Sequence, residues 1–60
     1  KKVVAATDLL AGAVLTKDML IFKRADQGAQ LDALEHLIGR PLILAKKRDE
    51  GVNLEDVSTI

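Results

Sequence analysis

Two stretches of this chain echo each other, and no other feature narrows the fold as much. Ala11-Gly12-Ala13-Val14-Leu15-Thr16-Lys17-Asp18-Met19 and Glu50-Gly51-Val52-Asn53-Leu54-Glu55-Asp56-Val57 each run from a glycine, over two residues, to a leucine. Each then takes a polar step into an aspartate that is followed by an apolar residue. The second copy is one residue shorter and lacks the threonine. A β-rich run precedes each copy: Val3-Val4 in the first, Leu42-Ile43-Leu44 in the second. Two units of strand, glycine turn and short helix in so short a chain point to a pseudo-two-fold fold.

Sixty residues form one domain at most, and such a chain buries only about 60% of the surface its unfolded form exposes. Without cysteine, neither a disulfide nor a thiolate metal site can reinforce it. His36 is the single histidine and has only carboxylates for company, so no structural metal is expected. Aliphatic side chains must make the core. Hydrophobic residues reach 48% of the chain, with Phe22 the one aromatic. Met19 and Phe22 are therefore expected inside, because a domain this small needs every large apolar side chain it has.

The nine basic and nine acidic residues cancel. A nucleic-acid module shows a surplus of Lys and Arg and aromatics on which bases stack, and this chain has neither. The run Lys46-Lys47-Arg48 is followed at once by Asp49-Glu50, which cancels most of its field beyond a Debye length. No stretch approaches the ~20 apolar residues of a membrane span, and the apolar run after Lys1-Lys2 is too short for a signal peptide. A cytoplasmic location is expected. Both ends read as cut, so residues 1–60 are expected to be one domain, the C-terminal part of a longer chain.

Local signals predict the elements. Lys2 to Ala6 reads as a strand and Asp8 to Gly12 as a turn. Thr16 is placed to cap a one-turn helix, Lys17 to Leu20, by accepting from the amide of Asp18 or Met19. Ile21 to Arg24 resumes a strand. Ala25 to Gly28 reads as a loop. Asp32 to Ile38 is the best helical segment, since Leu31, Leu34, Leu37 and Ile38 share one face. Gly39 is its stop, and Pro41 prevents its continuation. Leu42 to Ala45 is so continuously apolar that it reads as a strand buried on both faces. His36, beside Glu35, reads as a surface histidine. Asp49, Glu50, Glu55 and Asp56 alternate with bases near turns, and without a second chemical partner they form no catalytic constellation.

The run Val3-Val4-Ala5 to Thr16-Lys17-Asp18-Met19 resembles the opening signature of SAF, or antifreeze-like, domains, and the resemblance covers nearly the whole chain. The middle adds to it. Lys23-Arg24, Gly28 and Ile38-Gly39-Arg40 stand as in the segment of sialic acid synthases that carries Lys-Arg-Pro-Gly-x-Gly and, later, Ile-Gly-Arg. Ala25, Asp26, Ala29 and Leu31 depart from that pattern. The resemblance implies a small, compact, β-rich α+β domain of the SAF (β-clip, type III antifreeze-like) fold, with short strands, one-turn helices and an internal pseudo-two-fold. It implies a parent that condenses phosphoenolpyruvate with an N-acylated amino sugar in a barrel domain holding a divalent metal. In such a parent, a homodimer with swapped domains, this domain is non-catalytic and covers the partner subunit's sugar site. Arg24 then contacts the sugar's acyl group, Lys23 faces solvent and Gly28 eases the loop beside the ligand. A guanidinium suits that role because it donates two parallel hydrogen bonds.

Other members of the family imply other roles: a binding or structural module of a flagellar or pilus assembly protein or of a sugar-acid dehydratase, or an ice-binding antifreeze protein. The interval from Arg24 to Ile38-Gly39-Arg40 favours the synthase. Asp8, Lys17 and Asp18 stand at or beside positions where ice binding wants small, uncharged side chains, which disfavours the last role.

Overall fold

The strand β1 (Lys2–Ala5) forms where the β-branched Val3 and Val4 suit a pleated surface. A computed structural model describes residues 1–58 of the chain. β1 pairs antiparallel with β2 (Leu20–Lys23), in a register that sets Lys2 opposite Lys23, Val3 opposite Phe22, Val4 opposite Ile21 and Ala5 opposite Leu20. A 3₁₀ turn at Lys17–Met19 leads into β2. Another at Leu31–Ala33 leads into the one-turn helix α1 (Leu34–Leu37), and a third spans Leu54–Asp56. The rest is held by backbone bonds between segments distant in sequence. The result is a small α+β domain of two antiparallel strands and a short helix.

The two halves are related residue by residue through a shift of 37 positions. The bridge of Val4 with Gly51 has its counterpart in the bridge of Pro41 with Val14, and the pair Ala5–Leu20 in the bridge Leu42–Val57. Backbone bonds follow suit. Gly12 donates to Leu42 and Asp49 to Ala5, both at 2.8 Å; Leu15 donates to Arg40 and Val52 to Val3, both at 3.0 Å. The caps match as well: Thr16 has φ −119° and ψ 165°, Asn53 φ −116° and ψ 164°. Leu9 and Lys46 map onto each other. They exchange both backbone bonds, at 2.7 and 2.9 Å, on the axis itself.

This register corrects the glycine-to-glycine alignment of the sequence echo. The counterpart of Gly12 (φ 90°) is Asp49 (φ 70°), not Gly51. Aspartate tolerates the left-handed conformation better than most residues, so the turn recurs without its glycine.

The core is aliphatic: Val3, Ala5, Leu9, Leu15, Leu20, Leu37, Leu42, Val52 and Val57 are buried together, with Met19, Leu34 and Ile38 packed against them. Phe22 is not inside and keeps 37% of its surface exposed. β1 is flanked on both sides, by β2 and by the segments around Ala29 and Gly51, whereas β2 has only β1 beside it. Among the described residues nothing therefore covers its outer flank.

Four further expectations change. Leu42 to Ala45 is not a doubly buried strand: Leu42 is buried, but Ile43 and Leu44 are 60% and 43% exposed, and pairing is limited to isolated bridges. Its apolar run is interrupted because the chain bends to reach the axis pairing at Lys46. The helix expected over 32–38 is a 3₁₀ turn followed by one α turn, and Leu31 is exposed. It stops where Gly39 donates to Leu15 and Leu15 to Arg40, so tertiary pairing captures its end. The Thr16 side chain makes no cap bond; its hydroxyl donates to the Asp18 carboxylate instead. Asp56, read as one of four acidic residues near turns, is buried.

Asp56 and Lys46 form a buried ion pair, Nζ to Oδ2 3.0 Å, with side chains 11% and 8% exposed. The Asp56 carboxylate also accepts the Asn53 amide at 2.8 Å. Glu50 stands 3.9 Å from the same ammonium. At the symmetry-related positions the other half carries Leu9 and Met19, both apolar. One half thus solves with charge what the other solves with hydrocarbon.

Removing one partner strands the other in a nearly dry site. Asp56→Ala is expected to lower the unfolding free energy by on the order of 2–4 kcal/mol. The double change Lys46→Leu with Asp56→Met, which copies the other half, should recover most of that loss. Urea unfolding of the two variants measures both.

Candidate functional site

The residues singled out by the synthase-like segment fall at the end of β2. Lys23 closes the strand and Arg24 opens the loop that runs to the 3₁₀ turn at Leu31. Arg24 is exposed and enters no ion pair among the described residues. Lys23 is only partly open to solvent, because its ammonium meets the Asp49 carboxylate at 2.5 Å. The ion pair ties β2 to the turn that precedes Gly51. Asp49 was legible as an acidic residue near a turn, but its partner lies 26 positions away.

The loop is fixed by backbone approach. Ala29 donates to Val52 at 2.9 Å and accepts from Val3 at 2.8 Å. Gly28 has φ 131°, and a Cβ there would lie 2.4 Å from the Val3 carbonyl oxygen. A Cβ on Gly51 would lie 2.4 Å from the carbonyl oxygen of Gln27. Two glycines therefore let three backbone segments close on one another. This contact with β1 is what Gly28 does in the structure, and it holds the stem from which Arg24 projects.

Ile38, Gly39 and Arg40 serve elsewhere. Ile38 packs on the core, while Gly39 and Arg40 exchange backbone bonds with Leu15. His36 is exposed on α1. Among the described residues no three His, Cys, Asp or Glu side chains stand close enough to hold a metal ion. No helix among the described residues is long and apolar enough to cross a membrane.

A shallow cleft of about 200 Å³ lies on the two-fold axis, lined by Asp8, Leu9, Leu10, Ala45, Lys46 and Lys47. These are three symmetry-related pairs, so the cleft is a consequence of how the halves meet. Asp8 is engaged there, accepting the Arg48 amide at 2.8 Å.

An interlocked α+β domain of two related halves, with a cation held out beyond a short edge strand, is the class of module these features define. The family model for the SAF domain matches residues 2–58, and the chain belongs to that family. No curated protein and no solved structure matches it significantly.

Two carboxylates carry a pH dependence. The Lys23 ammonium, bonded to Asp49, holds that carboxyl below its ordinary 3.8. The Thr16 hydroxyl does the same for Asp18. A carboxyl lowered in the folded state contributes stability that is complete above its unfolded value and is lost as pH falls through the folded one. Melting temperature should therefore fall as pH drops through and below that ordinary 3.8, and only modestly, because both carboxyls are exposed. The fall should be smaller in Asp49→Asn, which keeps a residue tolerant of the left-handed turn; an unchanged slope would remove Asp49 from the account.

Separately, Gly51→Ala should destabilise by more than Gly12→Ala: a Cβ on Gly12 meets nothing within 4 Å and adds only the left-handed strain of its φ of 90°, about 1–2 kcal/mol, while one on Gly51 runs into backbone at 2.4 Å. Thermal unfolding of the two variants compares them directly.

Proposed function

We propose that this SAF domain is the non-catalytic, substrate-covering domain of a sialic acid synthase-like enzyme, in which Arg24 reaches the sugar site of the partner subunit's barrel. The carrying observation is the state of Arg24: exposed, without an ion-pair partner among the described residues, and rooted in a stem that Gly28, Ala29 and Gly51 pin to β1. A guanidinium held this way arrives at a ligand with its stem already ordered, so little conformational freedom is lost on contact. Its two parallel donors suit the carbonyl oxygen of an N-acyl group on an amino sugar.

Lys23 supports this role indirectly. Its bond to Asp49 fixes the end of β2 and keeps that cation from competing for the same ligand. Phosphoenolpyruvate, the divalent metal and the bond-forming chemistry belong in this reading to the barrel of a homodimeric parent. The Ala25-Asp26 pair, where the synthase segment has Pro-Gly, alters the chain just beyond the arginine and bears on which sugar is taken.

The ice-binding alternative gains nothing from the surface. Asp8, Lys17 and Asp18 are all exposed, and charged groups there hold their own water.

The test uses a chain in which the barrel precedes this domain. Arg24→Ala should raise the KM for the amino sugar about tenfold or more, the loss expected for a charge-assisted hydrogen bond. The KM for phosphoenolpyruvate and the melting temperature should stay unchanged. Unaltered kinetics with all substrates would overturn the assignment.

A further inference from the structure

We propose that the outer edge of β2 pairs with the same edge of a second copy of this chain. The inference starts from how β1 uses its backbone. Val3 donates to Ala29 and accepts from Val52; Ala5 donates to Glu50 and accepts from Asp49. Both residues thus spend their polar groups on the side away from β2. In an antiparallel ladder the pairs Val3–Phe22 and Ala5–Leu20 are then the ones without mutual hydrogen bonds. It follows that the N–H and C=O of Phe22 point outward from the sheet. So do the C=O of Leu20 and the N–H of Arg24, while the Leu20 N–H is used internally by the Lys17 carbonyl.

These outward groups form a self-complementary set: an acceptor at 20, both groups at 22, a donor at 24. An antiparallel copy with Phe22 facing Phe22 of the second copy satisfies all of them. Phe22 exchanges two bonds with its counterpart, and each Arg24 N–H donates to the Leu20 carbonyl of the other copy. The side chains agree with this register. Ile21, 41% exposed, faces Lys23 of the second copy, and Leu20 faces Arg24. No like charges stand opposite one another. Slipping the pairing by two residues toward Arg24 would set Lys23 against Lys23, which is destabilising. Slipping it the other way would lose bonds to the occupied Leu20 amide.

The edge is short, so the association is weak and concentration-dependent. It is independent of the sugar-site reading, because Arg24 contributes only its backbone here.

Sedimentation of the 60-residue chain from dilute to about millimolar concentration should show a dimer that grows with concentration. Amide exchange at Phe22 and Arg24 should slow as it does. Ile21 distinguishes the register, since it is exposed and faces Lys23 of the other copy twice in the pair. Ile21→Lys should weaken the dimer about tenfold, and Ile21→Glu should hold or tighten it. A chain that stays monomeric throughout would overturn the proposal. So would equal weakening by both Ile21 variants, slowed exchange confined to residues outside β2, or an edge that pairs only with an extended segment of a different protein.

Discussion

Everything in this domain is arranged around one reciprocal contact, the pair of backbone bonds exchanged by Leu9 and Lys46. It lies where the two halves map onto each other, and each half reaches it along a segment with little regular structure of its own. A sheet of two four-residue strands and a single α turn could not hold sixty residues in place. The long-range bonds that radiate from the axis do so: Gly12 to Leu42, Asp49 to Ala5, Leu15 to Arg40, Val52 to Val3. Each satisfies backbone groups that burial would otherwise leave unpaired.

The two halves share a backbone and aliphatic core positions such as Leu15 with Val52 and Leu20 with Val57. Yet from Val3 and Arg40 to Leu20 and Val57, none of the paired residues is identical. Gly12 and Asp49 reach the same left-handed turn by different means. Leu9 and Met19 occupy in hydrocarbon the places that Lys46 and Asp56 occupy as an ion pair. A buried pair of this kind contributes less to stability than its attraction suggests, because both charges give up water.

The candidate site inherits its geometry from this frame. β1 is enclosed on both sides, which leaves β2 as the edge and places Lys23 and Arg24 at its end. Gly28 and Gly51 close the following loop onto β1, and Asp49, delivered by the turn of the second half, neutralises Lys23. Arg24 is left there as the cation without an ion-pair partner among the described residues, held out by an ordered stem. The same asymmetry of flanking leaves Phe22 half open rather than in the core.

By itself the sequence determined the first strand, the short helical turns, the aliphatic core, the stop at Gly39 and the existence of two related halves, since all of these rest on local pattern. It also picked out Lys23, Arg24 and Gly28 through their resemblance to a known segment. The register between the halves was decided only in three dimensions. It is carried by φ, ψ and hydrogen bonds that dissimilar residues can share, which is why Gly12 matches Asp49 and not Gly51. The exposure of Ile43, Leu44 and Phe22 and the pairings of Lys46 with Asp56 and Lys23 with Asp49 belong with it. Each depends on which distant segment arrives alongside, and no local periodicity encodes that.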